Sequence, residues 1–305
     1  MQSREEIIDR LQQADTPSIR LFTLTRLKDL PAGHALVKQE QEQVANQEPA
    51  LSILKEQHPE GYWVWDRSHY TPKFKATHWS MQLLTELGLD GNHPAMQQGA
   101  VYMRKRMKKH LQEQLQNDER GWICFWGNFA KYQMHCGAFE DATVQETIAL
   151  QVREIERDSI CDWNYNLPCA WGVIRAMWGL AAISNEKRTS QVQHAIQHGL
   201  EFLLERYSLV KADYPYQQKI NRCWFSLNFP LFYNTDILFT LRVLDELHAL
   251  DHPAARQALD WLQSKQTKNG MWRGASPARS RTWAFTAGKD TVDDWATLHT
   301  LSVLH

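Results

Sequence analysis

The stretch Asn221-Arg-Cys-Trp-Phe-Ser-Leu-Asn-Phe-Pro-Leu-Phe-Tyr-Asn-Thr-Asp236, followed by Ile-Leu-Phe-Thr-Leu-Arg-Val-Leu-Asp-Glu-Leu247, decides how the chain is organised. An aromatic segment broken by Pro230 delivers a polar trio, Asn234-Thr235-Asp236, to the start of an amphipathic run. Ile237, Leu241 and Leu244 recur at i, i+4 and i+7, the spacing of one helix face. Asp251-His252-Pro253 stops that helix and starts a second one through Ala255, Leu259 and Leu262. The unit is therefore an aromatic approach, a helix, a short Asp/Pro turn and a second helix.

The same order recurs outward from this stretch. Thr77-His78-Trp79 opens a helix with Leu83, Leu84 and Leu87 on one side, and the turn Gly88 to Pro94 leads to a partner from Ala95 to Met107. Gly121-Trp122 precedes Cys124-Phe-Trp-Gly-Asn128 and helices to about Met134 and about Ile155. Asp162-Trp163 precedes Cys169-Ala-Trp-Gly172 and helices to Ile183 and about Tyr207. Gly270-Met-Trp272 precedes a long loop and then Asp293-Asp294-Trp295, which opens a helix through Leu304. Ahead of these units, residues 1–48 read as an N-terminal helical extension, with Thr16-Pro17 a good start for its second helix.

From Trp79 to Trp126 is 47 positions, and from Trp126 to Trp171 is 45. Trp171 to Tyr233 and Tyr233 to Trp295 are both 62. Two-helix units of this size predict an all-α helical array, either an open solenoid or a closed ring. Aromatic residues at matching helix starts favour the ring, where those ends converge on one cavity.

Bulk properties narrow the function classes. Formal net charge is −1 over 305 residues, so nucleic acid is not an expected partner. No apolar run approaches the roughly 18 residues of a spanning helix, and Met1-Gln-Ser-Arg-Glu-Glu6 leads into no apolar signal segment. The five cysteines are odd in number and show no CxxC spacing, which predicts a reduced cytoplasmic protein with no disulfide framework and no metal. The unusual feature is 13 tryptophans, large apolar bodies with a polar handle.

Gly61-Tyr-Trp63, Gly121-Trp122, Asp162-Trp163 and Asn269-Gly-Met-Trp272 resemble weakened forms of the Gly-aromatic repeat of the squalene–hopene cyclase and protein prenyltransferase β-subunit superfamily. Lys75-Ala-Thr-His-Trp79, Cys124-Phe-Trp-Gly-Asn128, Pro168-Cys-Ala-Trp-Gly172 and Phe229 to Asp236 resemble its short bacterial members, described as prenyltransferase/squalene-oxidase-repeat proteins. The resemblance covers about residues 15–305 and implies a single α/α-toroid domain, with inner and outer helix rings around an axial cavity. It further implies isoprenoid chemistry; no cofactor is expected. Two departures stand out. The DxDD acid motif of the cyclases is absent, with Asp290-Thr-Val-Asp-Asp294 the nearest acidic cluster. The Asp-x-Cys and His zinc ligands of the transferases are absent too, with Cys161-Asp162 reversed and Ala296 standing where that His would fall.

Candidate site residues follow from position. Asp236, Asp293 and Asp294 sit at helix starts, where a carboxylate either caps backbone N–H groups or, shielded by aromatic rings, serves as a general acid. His78 is a candidate base, or a structural histidine. Trp79, Trp126, Trp171, Tyr233 and Trp295 would either line a cavity and stabilise cations on their faces, or pack as core. Asn128, Asn234 and Thr235 share their register and would orient a ligand or satisfy one another. Arg279 and Arg281, in the long loop from Arg273 to Thr291, would grip a diphosphate or carboxylate from a lid, or simply be exposed. The basic run Met103 to His110 reads as a solvated face, with peripheral contact to anionic lipid as the alternative. Two functions stay open: an isoprenoid cyclase- or transferase-like enzyme, and a non-catalytic toroid binding an apolar ligand or a partner protein.

Overall fold

A computed structural model describes residues 2–210 and 221–304. Among them the chain is all-α, with thirteen α-helices, a few short 3-10 and π turns, and two strands of two residues each. The helices, in order, are α1 (Arg4–Gln12), α2 (Pro17–Phe22), α3 (Ala35–Asn46), α4 (Ala50–Lys55), α5 (Thr77–Glu86), α6 (Pro94–Gln116) and α7 (Ile123–His135). Then follow α8 (Ala142–Glu156), α9 (Ala170–Ala181), α10 (Ser190–Glu201), α11 (Ile237–Glu246), α12 (Pro253–Gln263) and α13 (Val292–Val303). The predicted helix pairs are all present in a helical repeat-like order. Helix α6 runs well past Met107 because Leu111 and Gln114 continue the buried stripe of Met103 and Met107. No described helix is long and apolar enough to cross a membrane.

The chain divides into two compact units. The first comprises Met1–Gly99, Ser226–Phe232 and Asp260–His305. Its α1 starts with a capping box in which Ser3 and Glu6 satisfy each other's backbone N–H groups. Pro17 opens α2 as expected, but the Thr16 hydroxyl does not cap it; it accepts the Ala287 N–H at 2.9 Å instead. In the long loop, strand β2 (Gly274–Ala275) pairs in parallel with β1 (Leu227–Asn228).

One local structure occurs twice in this unit. At Gln57–Trp63 the Gln57 amide donates to the Gly61 carbonyl (3.3 Å), the Gly61 N–H to His58, and the Trp63 indole to the Ile53 carbonyl ten residues back (2.7 Å). At Gln266–Trp272 the Gln266 amide donates to Gly270 (2.8 Å), the Gly270 N–H to Thr267, and the Trp272 indole to Leu262 (2.8 Å). Both backbone N–H groups of these tryptophans reach a threonine hydroxyl of the next helix, Thr77 or Thr297, at 3.0 Å. Gly61 and Gly270 hold φ of 94° and 88°, a region that L side chains avoid. The turns at Gly121 and Asp162 are built differently. Trp122 and Trp163 stay exposed, and it is Trp126 whose indole is anchored, to Gln114 Oε1 at 2.7 Å.

The second unit comprises Ala100–Phe225 and Tyr233–Leu259. Helix α9 is its axis, with every residue from Ala170 to Leu180 buried. It crosses α7 at Gly127, where a Cβ would meet the Arg175–Ala176 peptide. Absence of that one carbon lets two backbones touch, which is why this helix pair packs so closely. One turn further along α9, Gly179 lies against Gly127 and Ala130 of α7.

Candidate functional site

In the second unit the polar residues of three helices meet. Arg175, fully buried on α9, donates from Nη1 to Asn128 Oδ1 on α7 (3.3 Å) and from Nη2 to the Asn234 carbonyl (2.6 Å). Its guanidinium lies 3.9 Å from the ring centroid of Phe239 and 5.3 Å from that of Trp178. Asn234 belongs to the segment that leads into α11, and the next residues finish the cluster. Asp236 accepts the Phe239 N–H at 2.7 Å as the helix cap, and Thr235 is buried beside it. Trp171 and Tyr233 meet edge to face with centroids 6.4 Å apart. Cys223 donates to the Thr235 carbonyl at 3.7 Å, and burial followed by the nearby Asp236 charge pushes its thiol up to about 11.

The structure therefore brings together Asn128, Trp171, Tyr233, Asn234 and Asp236. Trp126 belongs to the same unit but packs its ring against Phe125, Phe129 and His110. Arg175 was not among the residues singled out from sequence. A signal was present: it is the one charged residue in the apolar run Ala170 to Ala181, and a buried charge needs partners.

In the first unit Trp79 is fully buried, its indole donating to the Tyr70 carbonyl at 2.7 Å, with Phe74, Phe232 and His78 around its ring. Trp295 donates to the Phe285 carbonyl at 2.9 Å and stacks on Phe229 with centroids 4.0 Å apart. Asp293 accepts the Gly274 N–H at 2.7 Å, which ties β2 to the start of α13. Asp294 accepts the Thr291 N–H at 2.7 Å in a capping box and pairs with Arg10 at 3.0 Å. All three candidate acids thus accept backbone N–H groups at or beside helix starts.

The long loop is anchored along its length. Thr282 donates to the Phe74 carbonyl (3.0 Å), the Trp283 indole to Ser80 Oγ (2.8 Å), and the Lys289 N–H to Asp15 (2.7 Å). Arg281 lies over the Phe74 ring at 4.9 Å, while Arg279 is exposed. On α6, Lys105, Arg106, Lys108 and Lys109 are solvent-exposed, and Arg104 instead turns to Asp141 at 3.1 Å.

Elsewhere in the second unit, Glu154 on α8 is almost wholly buried, and desolvation raises its carboxyl above the usual range despite Arg153 at 3.0 Å. A groove of about 390 Å³ runs between α8 and α10, lined by apolar residues such as Ile148, Val152 and Val192 with Arg153, Glu156 and Lys187 at its edge. Among the described residues no three His, Cys, Asp or Glu side chains are grouped to hold a metal ion. Comparison of the chain with protein-family models, with curated proteins and with solved structures finds no match.

Proposed function

We propose that this chain is an α/α-toroid-type repeat protein that works by binding an apolar ligand or partner, and not by acid-catalysed isoprenoid chemistry. The observation that carries this reading is the use of the carboxyl groups. Asp236, Asp293 and Asp294 accept backbone N–H groups at 2.7 Å each. A carboxyl that caps a helix start is committed to holding backbone, whereas a general acid must be free to deliver its proton to a substrate. The aromatic faces are similarly engaged. Of the candidate rings, Trp295 is stacked on Phe229 and Trp126 on His110. A ring face already in contact has to be vacated before it can stabilise a carbocation.

Support for the toroid itself comes from the repeated turn. Its two copies, at Gln57–Trp63 and Gln266–Trp272, each link the end of one helix to the start of the next by the same hydrogen bonds. That is the role a Gly-aromatic repeat plays in joining successive helix pairs of a ring.

The test is direct. Purified protein is incubated with farnesyl and geranylgeranyl diphosphate, and products are sought by gas chromatography–mass spectrometry while tryptophan fluorescence reports binding. No conversion is expected, from wild type or from Asp236→Asn, which keeps a capping oxygen and hence the fold. Conversion by the wild type that Asp236→Asn abolishes in a folded protein overturns the proposal.

A further inference from the structure

Three of the five cysteines meet in the second unit, away from the Arg175 cluster's hydrogen bonds. Cys161 and Cys169 flank a short loop closed by an antiparallel bridge between Cys161 and Leu167, which sets the two thiols near enough to influence each other's ionisation. The loop is clamped on itself. Cys161 donates its N–H to the Leu167 carbonyl (3.2 Å), Asn164 donates from its side chain to the Pro168 carbonyl (2.8 Å), and the Cys169 N–H reaches the Asp158 carbonyl (3.2 Å). Cys169 is buried and its sulfur accepts the Gly172 N–H at 3.4 Å, at the start of α9. Cys161 is only half-buried, and the buried Gly121 packs beside it, where an added Cβ would lie 3.7 Å from its sulfur.

The backbone here is held in a costly form. Of the ten non-glycine residues with positive φ among those described, five surround this pair: Trp122, Asp158, Ser159, Tyr165 and Asn166. Such positions are disfavoured for L residues and gather at functional sites. Two of them, Tyr165 and Asn166, lie in the loop that Cys161 and Cys169 flank. Trp163 is 69% and Tyr165 68% exposed, and Trp122 meets Trp163 edge to face. Large exposed aromatics beside a half-buried thiol are not explained by core packing.

We propose that Cys161 and Cys169 form a thiol–disulfide exchange site, with Cys161 the attacking sulfur, Cys169 the resolving sulfur, and a disulfide-bonded small molecule or peptide the co-substrate. In the first step the Cys161 thiolate attacks one sulfur of R–S–S–R, the S–S bond breaks, and R–S⁻ leaves to be protonated. In the second step Cys169 gives its proton to the departing group and attacks the Cys161 sulfur, displacing the second R–S⁻. The protein loses two electrons and two protons, the co-substrate gains both, and the products are a Cys161–Cys169 disulfide and two R–SH.

The electrostatics agree with these roles. The hydrogen bond from Cys169, with the Trp163 and Asn164 N–H groups, lowers the Cys161 thiol to about 7 against the opposing effects of burial and Asp162. Cys169, buried and bonded to that thiolate, is raised. Cys124 stands close to both but is pushed up to about 11 by burial and by Cys161, with Arg175 opposing, and is a bystander. The site does not depend on the binding role proposed above.

The experiment follows thiol reactivity in the full chain. Limiting iodoacetamide at pH 7, read by peptide mass mapping, is expected to label Cys161 on the order of 50-fold faster than Cys223, from thiolate fraction less the nucleophilicity lost with low pKa. Oxidised glutathione should then release two glutathiones per wild-type chain and leave the Cys161–Cys169 disulfide. Cys169→Ser should stop at a glutathione adduct on Cys161, Cys161→Ser should give neither product, and Cys124→Ser should behave as wild type. An aromatic disulfide, 5,5′-dithiobis(2-nitrobenzoate), run in parallel separates a small-molecule preference set by the exposed rings from general reactivity. Equal labelling of Cys161 and Cys223, or a disulfide to Cys124 in place of Cys169, overturns the assignment. The labelling arm uses wild-type protein and so stands even if a variant fails to fold.

Discussion

Gly127→Ala is the substitution from which the packing of the second unit can be judged. An added Cβ would stand 2.7 Å from the Ala176 nitrogen and closer still to the Arg175 carbonyl. Atoms of this kind pack near 3.5 Å, so α7 and α9 must part by about 1 Å, a gap that forfeits a quarter to a half of each contact along the crossing. Overpacking of this kind costs about 1–3 kcal/mol, and here the obstacle is backbone, which cannot rotate away. Against it, alanine gains about 1 kcal/mol over glycine in a helix interior. The balance is a loss of about 2 kcal/mol, taking the upper end of the overpacking range. The same separation carries Asn128 Oδ1, now 3.3 Å from Arg175 Nη1, beyond hydrogen-bonding distance. Urea unfolding followed by circular dichroism measures the loss as a lowered midpoint at unchanged slope. Gly33→Ala is the control, because nothing lies within 4 Å of its added carbon. If Gly127→Ala unfolds within about 0.5 kcal/mol of wild type, the scatter of a neutral surface change, the backbone contact described between α7 and α9 is wrong.

Further expectations concern the turns and the buried acid. Gln57→Ala removes bonds to the Gly61 and Ala95 carbonyls, and Gln266→Ala one to Gly270; each should lose about 1–2 kcal/mol in the same unfolding assay, and a change near zero for both would deny the repeated turn any structural role. Glu154→Gln should stabilise the protein at pH 7. The Glu154 carboxyl is raised by burial, so the folded state holds its proton longer than the unfolded one, and stability is lost as pH rises above the ordinary carboxyl value. The advantage of glutamine should therefore shrink toward pH 4, and a pH-independent difference would contradict the burial of that charge.

Much of the helical order was legible because it is local. The i, i+4, i+7 run of α11 announces its own buried face, and Pro17, Pro94 and Pro253 mark starts that the structure keeps. Asp236 was readable as a cap from its place ahead of Ile237, and it caps. Gln57 and Gln266 passed unnoticed because a glutamine near a helix end reads as solvated until a carbonyl is found for it. Trp122 and Trp163 were read with the anchoring aromatics, yet both face solvent. Composition cannot tell an inserted indole from an exposed one.

The sequence by itself determined which segments coil into helices, where they stop and which of their faces are apolar. These properties depend on spacing within a turn or two of chain. Only the tertiary structure decided that Arg175 meets Asn128 and Asn234, that three aspartates are held by backbone N–H groups, and that the loop between Cys161 and Cys169 closes on itself. Hydrogen bonds act over about 3–4 Å, and which groups come that close is set by how helices cross and loops fold back.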